Sequence, residues 1–180
     1  MHEPVMTSRL IGALPMPWAT LGVHAESDRL TGLDWLTAES DVTPEGGPLT
    51  TTERVLLERC RSQIERYLQD PAQGFDLPLT EALGTPFQRR VWAALCAIPT
   101  GEVRSYGTLA AALGSGPRAV AQACRANPWA LVVPCHRVVS SNGWGGYGGA
   151  TDTDSRLLRV KRAILAHEGA TVQAHSSSAS

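Results

Sequence analysis

Proline and glycine cut this chain into pieces whose hydrophobic periods differ, and the change of period constrains the fold. Residues 8–40 hold three short apolar runs, Leu10–Leu14, Trp18–Val23 and Leu30–Leu36. Pro15 and Pro17 separate the first two, and Glu26-Ser27-Asp28 separates the last two. Runs of that length between turn residues predict a small antiparallel sheet. Asp41–Thr50, with Pro44, Gly46, Gly47 and Pro48, reads as a loop. From Thr52 to Leu68 the pattern changes. Val55, Leu56, Ile64 and Leu68 fall near helical spacing with polar residues between them, which predicts an amphipathic helix. Gln69–Leu79, with Pro71, Gly74 and Pro78, reads as an interdomain connector.

The second half reads as helical. Thr85-Pro86 supplies an N-cap and a proline at the first helical position, ahead of the apolar face Phe87, Val91, Trp92, Leu95 and Ile98. Ser105 caps a second helix that runs to Leu113 and closes at Gly114, and Pro117 opens a third that stops before Asn127-Pro128. Two short helices joined by Gly-Ser-Gly-Pro resemble a helix-turn-helix. Leu131–Val139 is apolar and β-prone, and Ser140–Gly149 has five glycines in ten residues, a loop whose backbone can approach a ligand closely. A last helix runs from Ser155 to about His167 and stops at Gly169, and the small polar tail from Gln173 reads as disordered. The expected architecture is α/β in two domains. A small N-terminal α/β domain with an antiparallel sheet covers 1–79, a mainly helical domain covers 80–170, and a disordered tail covers 171–180.

The overall charge of −1 hides an asymmetry. Residues 1–80 hold 6 Arg against 12 acids, a net −6, whereas residues 81–180 hold 9 Arg and 1 Lys against 5 acids, a net +5. The second half therefore presents the basic surface that a polyanion would need. Arginine outnumbers lysine by 15 to one, a preference that GC-rich coding also produces. No apolar run is long enough to span a membrane, and the first residues lack the pattern of a signal peptide. The cysteines at 60, 96, 124 and 135 form no CxxC pair, so neither a disulfide framework nor a metal site is expected. The expected location is the cytoplasm.

Pro134-Cys135-His136-Arg137 is where the sequence carries chemistry. A thiol becomes a useful nucleophile beside a base or a positive charge, and His136 and Arg137 offer both. Adjacent strand residues point to opposite faces, so Cys135 and His136 cooperate only if the backbone turns there, as Pro134 suggests. Cys60, Cys96 and Cys124, on amphipathic helices, are expected to be buried structural thiols. Neighbouring Cys and His rarely chelate one ion, which argues against zinc.

The run Val133-Pro-Cys-His-Arg-Val138 resembles the signature of the O6-alkylguanine-DNA alkyltransferases, also called methylated-DNA–protein-cysteine methyltransferases. Thr85–Trp92, Gly101–Gly107, Pro117–Val120, Asn127-Pro128 and Leu165–Gly169 match that family's order. The likeness covers 80–170, and Gly32-Leu-Asp-Trp-Leu36 is the best local match in the N-terminal part. It implies a ribonuclease-H-like N-terminal domain and a winged-helix-like second domain that binds DNA and accepts the alkyl group.

The implied reaction is irreversible alkyl transfer to Cys135 from O6-alkylguanine in duplex DNA, with O4-alkylthymine a further substrate class. The protein would act once, as a monomer, with no cofactor, metal or membrane. By the same resemblance His136 is the base, acting through a water, and Glu168 orients it. Tyr106 donates to guanine N3, and Asn127 braces the turn that holds Cys135. The main chain of Cys135 and Val138, with Tyr147 and Gly148, forms the base pocket. Arg118 fills the gap left by a flipped base. Small residues at Ala119 and Ala121 let the helix enter the minor groove, and Arg89, Arg90, Arg125 and Ser141 contact phosphates. Departures from the pattern are Gly148 for a serine, Ala121 for a glycine, and the longer stretch Ala150–Ser155, whose two carboxylates are expected to cap the last helix. Two other readings stay open. One is a non-reactive lesion-binding relative, which Cys135 argues against; the other is a Cys-His-Glu hydrolase, which would need an oxyanion hole.

Overall fold

Three strands and a long helix form at the N-terminal side of the chain because their apolar residues can share one core. The computed structural model describes residues 8–37, 42–81, 83–150, 152 and 154–172. The expected tail from Gln173 and the first seven residues lie outside the described residues. Strands β1 (Arg9–Pro15), β2 (Thr20–Glu26) and β3 (Arg29–Leu36) pair antiparallel in the order β1-β2-β3. Helix α1 (Thr51–Gln69) starts at a capping box in which Thr50 and Glu53 satisfy each other's backbone N–H groups. Glu53 also accepts from Arg9 Nε at 2.8 Å and Nη2 at 2.6 Å, which ties the helix start to β1.

The buried face of α1 is Leu56, Cys60, Ile64 and Tyr67, spaced four, four and three residues apart. Val55, expected on that face, is 66% exposed. It sits next to Leu56, and adjacent residues on a helix diverge by about 100°, so only one of the pair can face the core. No helix among the described residues is long and apolar enough to cross a membrane.

The described residues divide into two compact units, with the boundary between Leu83 and Gly84 and with Pro128–Ala130 belonging to the first unit. That short excursion pairs with β3: Leu33 donates to Pro128 O at 2.8 Å and Ala130 donates to Leu33 O at 2.9 Å.

In the second unit, α2 (Pro86–Cys96), α3 (Tyr106–Ala112), α4 (Pro117–Arg125) and α5 (Arg156–His167) surround a core of Val91, Leu95, Val120, Leu158, Ile164 and Leu165. Thr85, Ser105 and Ser155 each cap their helix through the side-chain oxygen, the first two as their positions predict. Trp92 Nε1 donates to Ala123 O at 2.9 Å and joins α2 to α4. Thr85→Ala removes the half of the cap in which Thr85 Oγ1 accepts from Gln88 N and leaves the residue's backbone N–H donating to Gln88 Oε1. It should lower the denaturation free energy by about 1 kcal/mol, read as a shifted midpoint at constant slope.

Three local expectations need correction. Only Val138–Val139 of the β-prone stretch is a strand (β5), pairing in parallel with β4 (Arg104–Ser105). Before it Leu131 adopts φ +70° and Cys135–Arg137 forms a 3₁₀ turn, because Pro134 breaks the extended run. Cys96 is exposed at the end of α2, whereas Cys60 and Cys124 are buried. The carboxylates of 150–155 do not cap α5. Ser155 Oγ does so by accepting from Leu158 N at 3.3 Å, while Asp152 accepts from Asp154 N at 3.1 Å one turn earlier.

Candidate active site

The 3₁₀ turn solves the problem that a strand would pose. Its residues step by about 120°, so three consecutive side chains can serve different partners. Cys135 faces a cavity of about 250 Å³. His136 and Arg137 turn to Glu168, at the C-terminal cap of α5. His136 Nε2 donates to Glu168 Oε1 at 2.9 Å, and Arg137 donates Nε to Oε2 and Nη2 to Oε1, both at 2.9 Å. Arg137 also reaches Ile98 O at 2.6 Å and Thr100 Oγ1 at 3.1 Å, which anchors it to the chain after α2. Its charge is therefore spent on Glu168.

The protonation states follow from burial and these partners. Burial alone would raise the Glu168 carboxyl, but hydrogen bonds from His136 and Arg137 outweigh it and hold it at about 2. His136 is fully buried. Burial lowers its pKa more than Glu168 raises it, so the imidazole is neutral at pH 7. With Nε2–H given to the carboxylate, Nδ1 is the basic nitrogen. It is buried, and no described residue hydrogen-bonds to it.

Burial also pushes up the Cys135 thiol, opposed first by the Asn127 amide and then by the charge of Lys161. Asn127 Nδ2 donates to Val133 O at 2.8 Å and contacts Cys135 Sγ at 3.3 Å, so one amide fixes both the turn and the sulfur. The resting site is a protonated thiol with a hydrogen-bond donor on its sulfur, followed in the chain by a neutral base with a fixed tautomer. Such a set can deprotonate sulfur for attack on an electrophilic carbon.

A family model described as "6-O-methylguanine DNA methyltransferase, DNA binding domain" matches residues 86–170. The chain is 38% identical over 155 residues to the constitutive methylated-DNA–protein-cysteine methyltransferase of Bacillus subtilis, covering 81% of this chain and 91% of that one. This chain belongs to the methylated-DNA–protein-cysteine methyltransferases. The fold agrees. A crystal structure of the Mycobacterium tuberculosis O6-methylguanine methyltransferase superposes with a TM-score of 0.67 at 33% identity, covering 87% of this chain and 90% of that one. The same protein in complex with DNA gives 0.66 at 33% identity over 87% and 91%.

The remaining expected residues of this methyltransferase sort by position. Tyr106, Ala121, Arg125, Tyr147 and Gly148 line the same cavity as Cys135. Tyr106 opens α3, and its hydroxyl donates to Gly146 O at 3.5 Å; burial raises its pKa well above the usual tyrosine value. Val138 stands behind the wall, fully buried, with its carbonyl accepting from Lys161. Arg118 is exposed at the N-terminus of α4, Ala119 is half-buried beside it, and Ser141 is exposed on the glycine-rich loop. Arg89 and Arg90 are exposed and donate to Gly84 O and Leu113 O.

Gly148 has φ +56°, a region L side chains rarely adopt, and a Cβ there would stand 3.0 Å from Leu157 Cδ1, so glycine here sets the loop's path. At Gly149 a Cβ would stand 2.7 Å from Arg125 Nε, so the guanidinium lies against bare backbone. Sequence reasoning missed two participants. Cys124 lines the same cavity as Cys135, with its thiol pushed up to about 12 by burial. Lys161 had one signal that could have found it: it is the only lysine in the chain.

Proposed function

We propose that this protein repairs O6-alkylguanine in duplex DNA by moving the alkyl group irreversibly to Cys135 Sγ. The observation that carries the reading is the Cys135 thiol facing a cavity while Asn127, His136 and Glu168 are fixed around its turn. His136 Nδ1 takes the thiol proton through a water. The sulfur attacks the alkyl carbon in line, an S–C bond forms and the C–O6 bond breaks. Tyr106 lends its proton to guanine N3 as negative charge builds on the leaving base. The product is guanine plus a thioether, which explains a single turnover: nothing in the relay can cleave an S–C bond. Every proton has a donor or acceptor among these side chains, so no cofactor enters, and a monomer contains the whole site. The Cys135 carbonyl accepts from the guanine 2-amino group, and Val138 O, which already accepts from Lys161, would offer its second lone pair to the same group once the base is seated. O4-alkylthymine has no such group and is the poorer substrate.

Helices α3 and α4 act as a helix-turn-helix in the minor groove, within a winged-helix-like domain, beside a ribonuclease-H-like N-terminal domain that takes no part in the chemistry. Ala119 and Ala121 give clearance, and Arg89, Arg90, Arg125 and Ser141 meet phosphates. The work is that of a cytoplasmic scanner whose modest charge makes binding salt-sensitive. Arg118 fills the stack when the base flips. Arg118→Ala should lower the slope of log affinity against log salt by at most about one. It should slow transfer from duplex by about tenfold or more, since flipping costs a few kcal/mol, and spare transfer from a single strand. Equal slowing on both substrates sinks the finger role.

The reading as a whole is tested on the DNA. A duplex with one O6-methylguanine is incubated with the protein and digested to nucleosides. Guanine should replace the lesion mole for mole with protein. An abasic site, or an intact lesion on bound protein, overturns it.

A further inference from the structure

The one lysine in a chain of 15 arginines is Lys161, and it is fully buried in α5. Its ammonium donates to Val138 O at 2.7 Å, Trp144 O at 2.7 Å and Gly146 O at 3.0 Å. Three donors meet three acceptors, which is what a compact tetrahedral ammonium offers. A guanidinium is planar with five donors and could not converge on the same point. The coding bias that favours arginine elsewhere thus stops at the one position whose geometry requires lysine.

Those carbonyls lie in two segments. Val138 is in the strand leaving the Cys135 turn, and Trp144 and Gly146 belong to the glycine-rich loop that walls the cavity. The loop's other ties are mostly local: Ser140 pairs with Gly143 and Tyr147 with Ala150, the Tyr106 hydroxyl reaches Gly146 O at 3.5 Å, and Arg162 lies 5.4 Å over the Trp144 ring. Gly145, at φ +67°, packs so close to Ser140 N that a Cβ would stand 2.9 Å away. A segment this rich in glycine loses much conformational entropy when it is ordered, so the bonds that order it matter.

We propose that Lys161 is a positioning residue of the alkyl-acceptor site: its protonated form clamps the glycine-rich loop to the Val138 strand and gives the base pocket one shape, and loss of its proton releases the loop. The inference rests on the functional reading above for its substrate. The groups that face the ammonium are the thiols of Cys135 and Cys124, the His136 imidazole, and the Tyr106 hydroxyl through their shared acceptor Gly146 O. Arg162 follows it on its own helix, and Glu168 lies two turns further along. Burial lowers the Lys161 pKa to about 8, with the two thiols pulling the other way. A neutral amine has two N–H donors for three carbonyls, so the clamp weakens on the alkaline side of that value.

A single lysine makes the test direct. With ¹⁵N placed at lysine Nζ, the protein gives one side-chain signal, which should titrate near the value above. Amide exchange in residues 140–149, corrected for its intrinsic pH dependence, should rise across the same midpoint. Methyl transfer from an O6-methylguanine duplex should fall across it although the thiolate population is growing. Lys161→Met should lose loop protection at every pH, slow transfer by about 10²-fold and abolish the alkaline decline, and Lys161→Arg should not rescue it. Flat loop exchange through the Lys161 titration overturns the clamp, as does wild-type loop protection in Lys161→Met. If Lys161→Met does not fold, the wild-type titration decides. If the wild type transfers no methyl at any pH, the functional reading fails, and loop exchange still decides the clamp.

Discussion

Cys135→Ala is expected to abolish methyl transfer while leaving duplex affinity within about twofold, because affinity is proposed to come from phosphate contacts that the sulfur does not make. The result is not trivial, since a second thiol, Cys124, lines the same cavity. Proximity alone would let Cys124 take over. Its chemistry argues otherwise: burial pushes that thiol to about 12, and no described side chain is placed as its base. Cys135 is buried too, but it holds the Asn127 amide on its sulfur and precedes a neutral imidazole fixed by Glu168. Cys124→Ser should therefore transfer as the wild type does. Residual transfer in Cys135→Ala that vanishes in the double variant would move the acceptor role to Cys124.

Glu168→Ala should be the most damaging change that leaves the nucleophile in place. It removes the partner of a fully buried imidazole and of a half-buried guanidinium at once. Stranding such groups costs about 3–5 kcal/mol, and without its orienting carboxylate His136 loses both tautomer and direction. Transfer should slow by about 10²–10⁴-fold, beyond what the loss of folded protein explains. Glu168→Gln keeps an acceptor for His136 Nε2–H and should be the milder variant in both respects.

The acid limb of stability separates the charge from the hydrogen bond. Glu168 titrates at about 2 in the folded protein against an ordinary 4.5. The unfolded chain therefore takes up its proton first as pH falls. The stability contributed by Glu168 is whole above the ordinary value and is lost as pH drops through the folded one. Denaturation midpoints followed across that window should fall for the wild type and stay flatter for Glu168→Gln.

What the sequence made legible was local. Thr85 and Ser105 are caps that act on the residue three positions away, and each starts its helix as its spacing predicts. The turn residues between the first three apolar runs likewise give an antiparallel sheet. The failures are non-local or compete at short range. Leu131–Val139 has the composition of a strand, but Pro134 breaks it, and the 3₁₀ turn that replaces it separates Cys135 from its neighbours. Val55 and Leu56 cannot be ranked by periodicity alone, because the choice depends on where the sheet lies.

The site divides the same way. Cys135, His136 and Glu168 were legible because a motif and a chemical rule agree on them. Arg137 looked like a charge for the thiol, yet it clamps Glu168, a partner 31 residues away. Lys161 was invisible to motif reasoning because its partners are backbone carbonyls, which no side-chain pattern encodes. The charge asymmetry survives as a division between the halves: every residue proposed to meet DNA lies in the +5 half.

The most direct test weighs the protein itself. After incubation with excess O6-methylguanine duplex, intact mass and peptide mapping should show one added methyl per molecule. It should lie on the peptide containing Cys135 and rise to a plateau of one equivalent that fresh substrate does not exceed. A methyl on any other residue, or loss of the lesion while the protein keeps its original mass, would contradict the account.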